Sequence, residues 1–160
     1  MAGVDTMTNL LANGTAAFLA HPAQAELLRA RPGLSAAAVD EVLRYDAPVQ
    51  LIGRVSAAGT VVGGLPVAAD QLVIAVIGAA NRDPARFAAP GTFDITRRNA
   101  AVLSFGGGIH YCLGAPLARI EAGTFFPALL TRFPALRLAG TPARQGMVFR
   151  GFTNLPVAVR

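Results

Sequence analysis

The sequence predicts an α+β fold, mainly helical, on three observations. The first 45 residues read as three helix-like segments separated by prolines. Residues 49–77 then change to short β-like runs broken by Gly63-Gly64. A glycine-rich stretch, Phe105-Gly106-Gly107-Gly108, leads into one long apolar segment, and the tail beyond it is cut by Gly and Pro into short runs. The 160 residues suffice for one hydrophobic core. With 53% hydrophobic and 14% charged residues, a disordered polar chain is excluded.

In order along the chain, residues 2–20 set Leu10, Leu11, Phe18 and Leu19 among alanines, which predicts a helix. His21-Pro22 ends it, because the residue before proline is steered away from helical backbone. A second helix, 23–30, stops at Arg31-Pro32-Gly33. Ser35, as N-cap, opens a third that runs to Tyr45, and Pro48 closes it. Residues 49–55 and 60–62 are β-like, and Gly63-Gly64 turns the chain into 65–68. Residues 72–77 form a short apolar run, read as buried and either strand or helix. Residues 81–101 are punctuated by Arg82-Asp83-Pro84, Pro90-Gly91 and Arg97-Arg98, an ordered irregular stretch. A helix over 114–132 and terminal strands in 135–160 complete the reading.

The composition excludes several functions. The longest clean apolar run, 72–80, is far short of the roughly 20 residues that span a bilayer. A single cysteine, Cys112, excludes an intrachain disulfide and any multi-cysteine zinc site. All 14 basic residues are Arg, against nine acidic ones, for a net charge of +5. These arginines are scattered and not interleaved with aromatics, and two tyrosines without tryptophan offer few stacking platforms. That directs the charge toward acidic protein partners or internal ion pairs rather than nucleic acid. No basic residue precedes Arg29, and Asp5 stands where a signal peptide needs positive charge. The first segment is therefore read as mature helix, and the protein as cytoplasmic.

Chemistry concentrates around Cys112. A glycine-rich loop delivers this lone cysteine to the start of a helix, where the helix dipole favours a thiolate. Glycines let the backbone come close to a flat, bulky ligand on the sulfur. A buried free cysteine, a phosphate loop and a Cys–His nucleophile pair with His110 are the other readings of these residues. The phosphate loop lacks its Gly-Lys-Ser/Thr ending. Glu41 and Arg44, at i and i+3, share a helix face and can pair; the ordinary reading is a surface ion pair.

The run Phe105, Gly108, His110, Cys112, Gly114 resembles the haem-ligand signature of cytochromes P450, Phe-x-x-Gly-x-(His/Arg)-x-Cys-x-Gly. The following Ala115-Pro-Leu-Ala-Arg-Ile-Glu121 resembles the bacterial soluble form. The resemblance implies haem b (iron protoporphyrin IX) with Cys112 as the iron ligand, and Phe105, Gly106, Gly108 and Gly114 around it. It also implies that Glu41 and Arg44 form the family's buried pair. Arg97 is the expected third partner, with Arg82 as the alternative. Ala2-Gly3-Val4-Asp5-Thr6 resembles the distal-helix motif, in which Thr6 orders oxygen and water and Asp5 relays protons. Arg54 and His110 would hold a haem propionate. Gln50, Leu51 and Ile52 would border substrate, with Phe152 contributing.

The resemblance covers essentially the whole chain but matches only the C-terminal part of a P450, less than half of the usual length. Met1 falls within what should be the long distal helix, and the N-terminal helices that roof the pocket have no counterpart. The expectation is a single partial P450 domain over 1–160, with the apolar residues of helix 2–20 partly exposed. The implied activity is haem-thiolate monooxygenation: one oxygen atom from O2 enters a small apolar organic substrate. Electrons come from a ferredoxin-type donor, whose acidic surface would dock near the thiolate face, with Arg119 a docking candidate. The alternative is a catalytically silent fragment, a haem-binding or partner-assembling module that pairs with a separately encoded N-terminal half.

Overall fold

The first 45 residues, rich in alanine, build three helices: α1 (Ala2–Ala20), α2 (Pro22–Ala30) and α3 (Ser35–Tyr45). The computed structural model describes residues 2–98 and 101–160, with Ala2 described by its backbone alone. Met1, assigned by resemblance to the distal helix, and Asn99 and Ala100 of the irregular stretch lie outside the described residues. Pro22 occupies the first turn of α2, where its missing N–H has no partner to lose.

Ser35 does not cap α3. Pro32–Leu34 form a 3-10 turn that runs directly into the helix, Leu34 stands at the N-cap, and no side chain caps the end. Proline fixes its own φ near helical values, so the chain is already helical when it reaches Ser35.

A fourth long element, α5 (Ala115–Arg132), packs against all three helices. Phe18 of α1 lies at the centre, with Phe93 edge-on at 5.3 Å and Phe126 of α5 tilted at 5.5 Å. Leu28, Val39, Val42 and Ile95 close the core around them, each fully buried. The approach of α1 to α5 depends on Gly14. A Cβ at that position would lie 2.6 Å from Phe126 Cε1 and 3.0 Å from Val42 Cγ1. α1 itself grades from core to surface: Leu10 and Phe18 are buried, Met7, Leu11 and Leu19 half-buried, and Val4 exposed. The partial exposure expected of this helix is therefore present.

Among the described residues, four two-stranded antiparallel sheets accompany the helices. β1 (Leu51–Val55) pairs with β4 (Leu72–Val76), and β2 (Thr60–Val62) with β3 (Leu65–Val67). Gly63 (φ +58°) and Gly64 (φ +82°) make the tight turn between β2 and β3, a backbone that other residues adopt at a cost. A short helix, α4 (Ile77–Ala80), follows β4. In the tail, β5 (Arg137–Leu138) pairs with β8 (Val157–Ala158), and β6 (Ala143–Gln145) with β7 (Gly151–Asn154).

Two expectations change here. The first strand begins at Leu51, and Val49 instead makes an isolated bridge to Phe149 of the tail. The run 72–77 is strand to Val76 and helix from Ile77, and its strand is not buried: Leu72, Ile74 and Val76 are 59%, 53% and 50% exposed. Apolar β-branched residues suit a covered sheet, but the described residues place no second layer over this one. Among the described residues no helix is long and apolar enough to cross a membrane.

Candidate functional site

The cysteine loop is closed on itself by its backbone. Cys112 N–H donates to the Phe105 carbonyl at 2.9 Å, Gly106 N–H to Leu103 at 2.8 Å, and Tyr111 N–H to Gly108 at 3.1 Å. Gly106 and Gly108 take φ of +73° and +61°, so these two positions need glycine for their backbone as well as for clearance. Gly114 is the N-cap residue of α5, and Ala115 N–H donates to the Cys112 carbonyl at 3.2 Å. The thiol is thus held at the mouth of the helix with its side chain exposed.

Cys112 opens onto a cavity of about 450 Å³, within the range of small-molecule and cofactor sites. Phe105, Gly106, His110 and Gly114 line it on the loop side. Thr6, Met7 and Leu10 of α1 line it on another, with Val49 and Ile52 from the segment that follows α3. The wall is mostly apolar, which suits a flat apolar macrocycle, and Thr6, Ser104, His110, Cys112 and Glu121 are its polar members. An exposed sulfur beside glycine backbone in an apolar cavity fits thiolate-held haem.

Several expected residues stand outside this lining. Asp5 is exposed and does not reach the cavity wall, whereas its neighbour Thr6 does. Gly108 is exposed and serves the loop's turn. Arg54 is exposed on β1, its guanidinium donating to the Gly53 carbonyl at 2.8 Å. It shares a sheet face with Ile52, which does line the cavity. Gln50 is buried and donates to the Ala47 carbonyl at 2.7 Å, so it shapes the segment from behind. Leu51 is half-buried outside the lining. Phe152 lies under the Arg144 guanidinium at 4.4 Å.

Beneath the loop, Glu41 and Arg44 are both 1% exposed. Arg44 Nε and Nη2 donate to the two carboxylate oxygens at 2.7 and 2.8 Å. Its remaining donors reach the carbonyls of Asn81, Pro90 and Thr92 at 3.2, 2.9 and 2.8 Å. Arg97 Nε completes the cluster on Glu41 at 3.2 Å, and Asp94 N–H adds a fourth bond at 2.9 Å. Arg82 goes elsewhere: it stacks on Tyr45 at 4.3 Å and donates to the Tyr45 carbonyl. A carboxylate accepts about four bonds and a guanidinium donates five, so both groups are saturated.

Sequence reasoning missed Asn81, which is fully buried. Its amide donates to Ser104 Oγ at 2.8 Å and accepts from Leu103 N–H at 2.9 Å, just before Phe105. It thereby joins the Arg44 cluster to the cysteine loop. The only trace in the sequence is an Asn directly ahead of Arg82-Asp83-Pro84, a run that by itself reads as a chain break. Asp46 was also missed. It is buried at the end of α3 and paired with Arg144 at 2.7 Å and Arg150 at 3.8 Å. Arg119 is engaged with Asp40 and Tyr111 rather than left free for docking.

Comparison with known proteins places this geometry. The family model described as Cytochrome P450 matches residues 1–145. The chain is 46% identical over 159 residues to cytochrome P450 CYP107DY1 of Priestia megaterium, covering 98% of this chain and 39% of that protein. It is 41% identical over 162 residues to 6-deoxyerythronolide B hydroxylase of Saccharopolyspora erythraea, with 98% and 40% covered. Among solved structures, P450BioI in complex with hexadec-9Z-enoic acid-ligated acyl carrier protein superposes with a TM-score of 0.94 at 42% identity. That match covers 98% of this chain and 41% of the other. The chain thus spans about 40% of the length of the relatives it matches.

Proposed function

The chain belongs to the cytochrome P450 family, which implies a haem-iron cofactor, and from that premise we propose that it is the haem-binding portion of a monooxygenase. The enzyme inserts one oxygen atom from O2 into a small apolar organic substrate. The observation that carries this reading is Cys112, exposed on a glycine-rich loop and facing an apolar cavity that Thr6 also lines. Haem b held through a thiolate supplies oxygen activation, because the sulfur pushes electron density that favours O–O cleavage.

The chain's own residues have distinct tasks. Cys112 Sγ would hold the haem iron. Gly106 and Gly114 keep the backbone low beside it, Gly108 makes the turn, and Phe105 shields the sulfur. His110, on the cavity wall, and Arg54, on the sheet face of Ile52, bind propionate carboxylates; the Arg54 fork suits bidentate contact. Thr6, on the cavity wall, orders oxygen and water there. Asp5, exposed beside it, takes protons from solvent and passes them to Thr6. Glu41, Arg44 and Arg97 hold the floor under the loop. The net charge of +5 suits an acidic ferredoxin-type electron donor.

A second reading has its own support. The chain spans about 40% of its relatives, and Ile109 and Leu113, which flank the cysteine, are 97% and 98% exposed. As a silent fragment it would bind haem or assemble with a separately encoded N-terminal half.

A carbon monoxide difference spectrum on reduced, haem-loaded protein tests the haem reading. A thiolate-type Soret band that disappears in Cys112→Ala is the expected result; no such band in either protein overturns both readings. Turnover with a surrogate oxidant then separates them, since binding without product leaves only the fragment.

A further inference from the structure

Arg119, on the second turn of α5, touches both ends of the cysteine loop. Its guanidinium lies 4.6 Å over the ring of Phe105, where the loop begins. Its Nη1 donates at 3.1 Å to the hydroxyl of Tyr111, the residue directly before Cys112. The same group reaches α3, with Nε and Nη2 each 3.1 Å from Asp40 Oδ1. The Phe105 and Tyr111 rings sit 6.3 Å apart, so one planar cation spans them. Partial burial works against the charge on Arg119, yet the Tyr111 hydroxyl and the Asp40 carboxylate outweigh it and raise its pKa.

We propose that Arg119 is a positioning residue: with Asp40 and Tyr111 it latches the cysteine loop to α3 and α5, and so sets where Cys112 presents its sulfur. The latch needs an arginine. A flat fork can stack on one ring, donate to a phenol and pair with a carboxylate in one plane, and an ammonium cannot. About a third of Arg119's side chain is exposed (35%), so the Asp40 arm of the latch is sensitive to salt. Its consequence for iron ligation rests on the haem-thiolate reading; its effect on the loop does not.

The chain has two tyrosines and no tryptophan, so Tyr45→Phe leaves Tyr111 as the single fluorophore. In that full-length background, before haem is added, Arg119→Ala should raise acrylamide quenching of Tyr111, half exposed in the parent, by up to about twofold and lower its anisotropy. Arg119→Lys should recover only part of the loss, and Asp40→Asn should fall between. High salt should loosen Tyr111 in the parent and leave Arg119→Ala unmoved. Far-UV circular dichroism establishes that each variant is folded; if Arg119→Ala is not, Arg119→Lys and Asp40→Asn carry the test. Equal quenching, anisotropy and salt response in parent and folded variants would overturn the latch. In haem-loaded, reduced protein under carbon monoxide, the thiolate-type fraction should fall in Arg119→Ala. A parent without that band sinks the haem reading, and the fluorescence still decides the latch.

Discussion

Around Glu41 the polar atoms have their partners within the chain, with Arg44, Arg97 and the Asp94 backbone filling the carboxylate's capacity. Around Cys112, by contrast, the flanking Ile109 and Leu113 are almost wholly exposed. The first region is finished by these 160 residues alone. The second presents an exposed apolar surface beside an open cavity. The difference teaches that the frame around Glu41 and the pocket beside Cys112 are separable, and that substitutions in the two should behave differently.

The sharpest way to break the comparison is Arg44→Ala. It strips two of the four bonds from the buried Glu41 carboxylate, leaving only Arg97 and the Asp94 N–H, and takes the Arg44 donors from the Asn81, Pro90 and Thr92 carbonyls, at an expected cost of about 3–5 kcal/mol, read by denaturant unfolding. A cost below 1 kcal/mol, as for an exposed pair, would remove the contrast. Gly14→Val should come next. Its side chain overlaps the Phe126 ring and a Val42 methyl, and overpacking of this kind costs about 1–3 kcal/mol on the same measurement.

Asp94 gives a smaller, pH-dependent effect. The Thr96 hydroxyl and N–H donate to Asp94 Oδ1 at 2.7 and 2.9 Å. The Thr96 hydroxyl bond chiefly holds the Asp94 pKa below its ordinary 3.8 against partial burial. A lowered folded pKa adds stability that is present above the ordinary value and lost as pH falls through the folded one. Thermal midpoints followed from about pH 5 to about pH 2.5 should therefore fall more steeply in the parent than in Asp94→Asn. Parallel curves would show that the turn gains nothing from the ionised form.

The smallest effect belongs to the other region. Ile109→Ser and Leu113→Ser should change stability by no more than about 0.5 kcal/mol, because neither side chain is packed. The double variant should lower self-association in sedimentation experiments if these residues are a sticking surface.

How much of this was legible in the sequence follows from contact range. The cysteine loop and the Glu41–Arg44 spacing are local patterns, and the helices around them were placed within a residue or two. Arg97 was identified only through resemblance, since its partner lies 56 positions away. Asn81 and the Asp46 pair with Arg144 were missed because their partners come from distant segments and no local period marks them. The run 72–77 was misjudged for a related reason: hydrophobicity records what a strand suits, not what lies over it.

The notch at Gly14 makes α1 a lever. Its fulcrum is the contact with Phe126, and Thr6 sits eight residues away, about 12 Å along the axis. A tilt of about 5° at that point carries the Thr6 end through roughly 1 Å, a displacement of the size that alters catalytic rates a hundredfold. The placement of Thr6 on the cavity wall is thus tied to the bulk of one phenyl ring that is not part of the cavity lining.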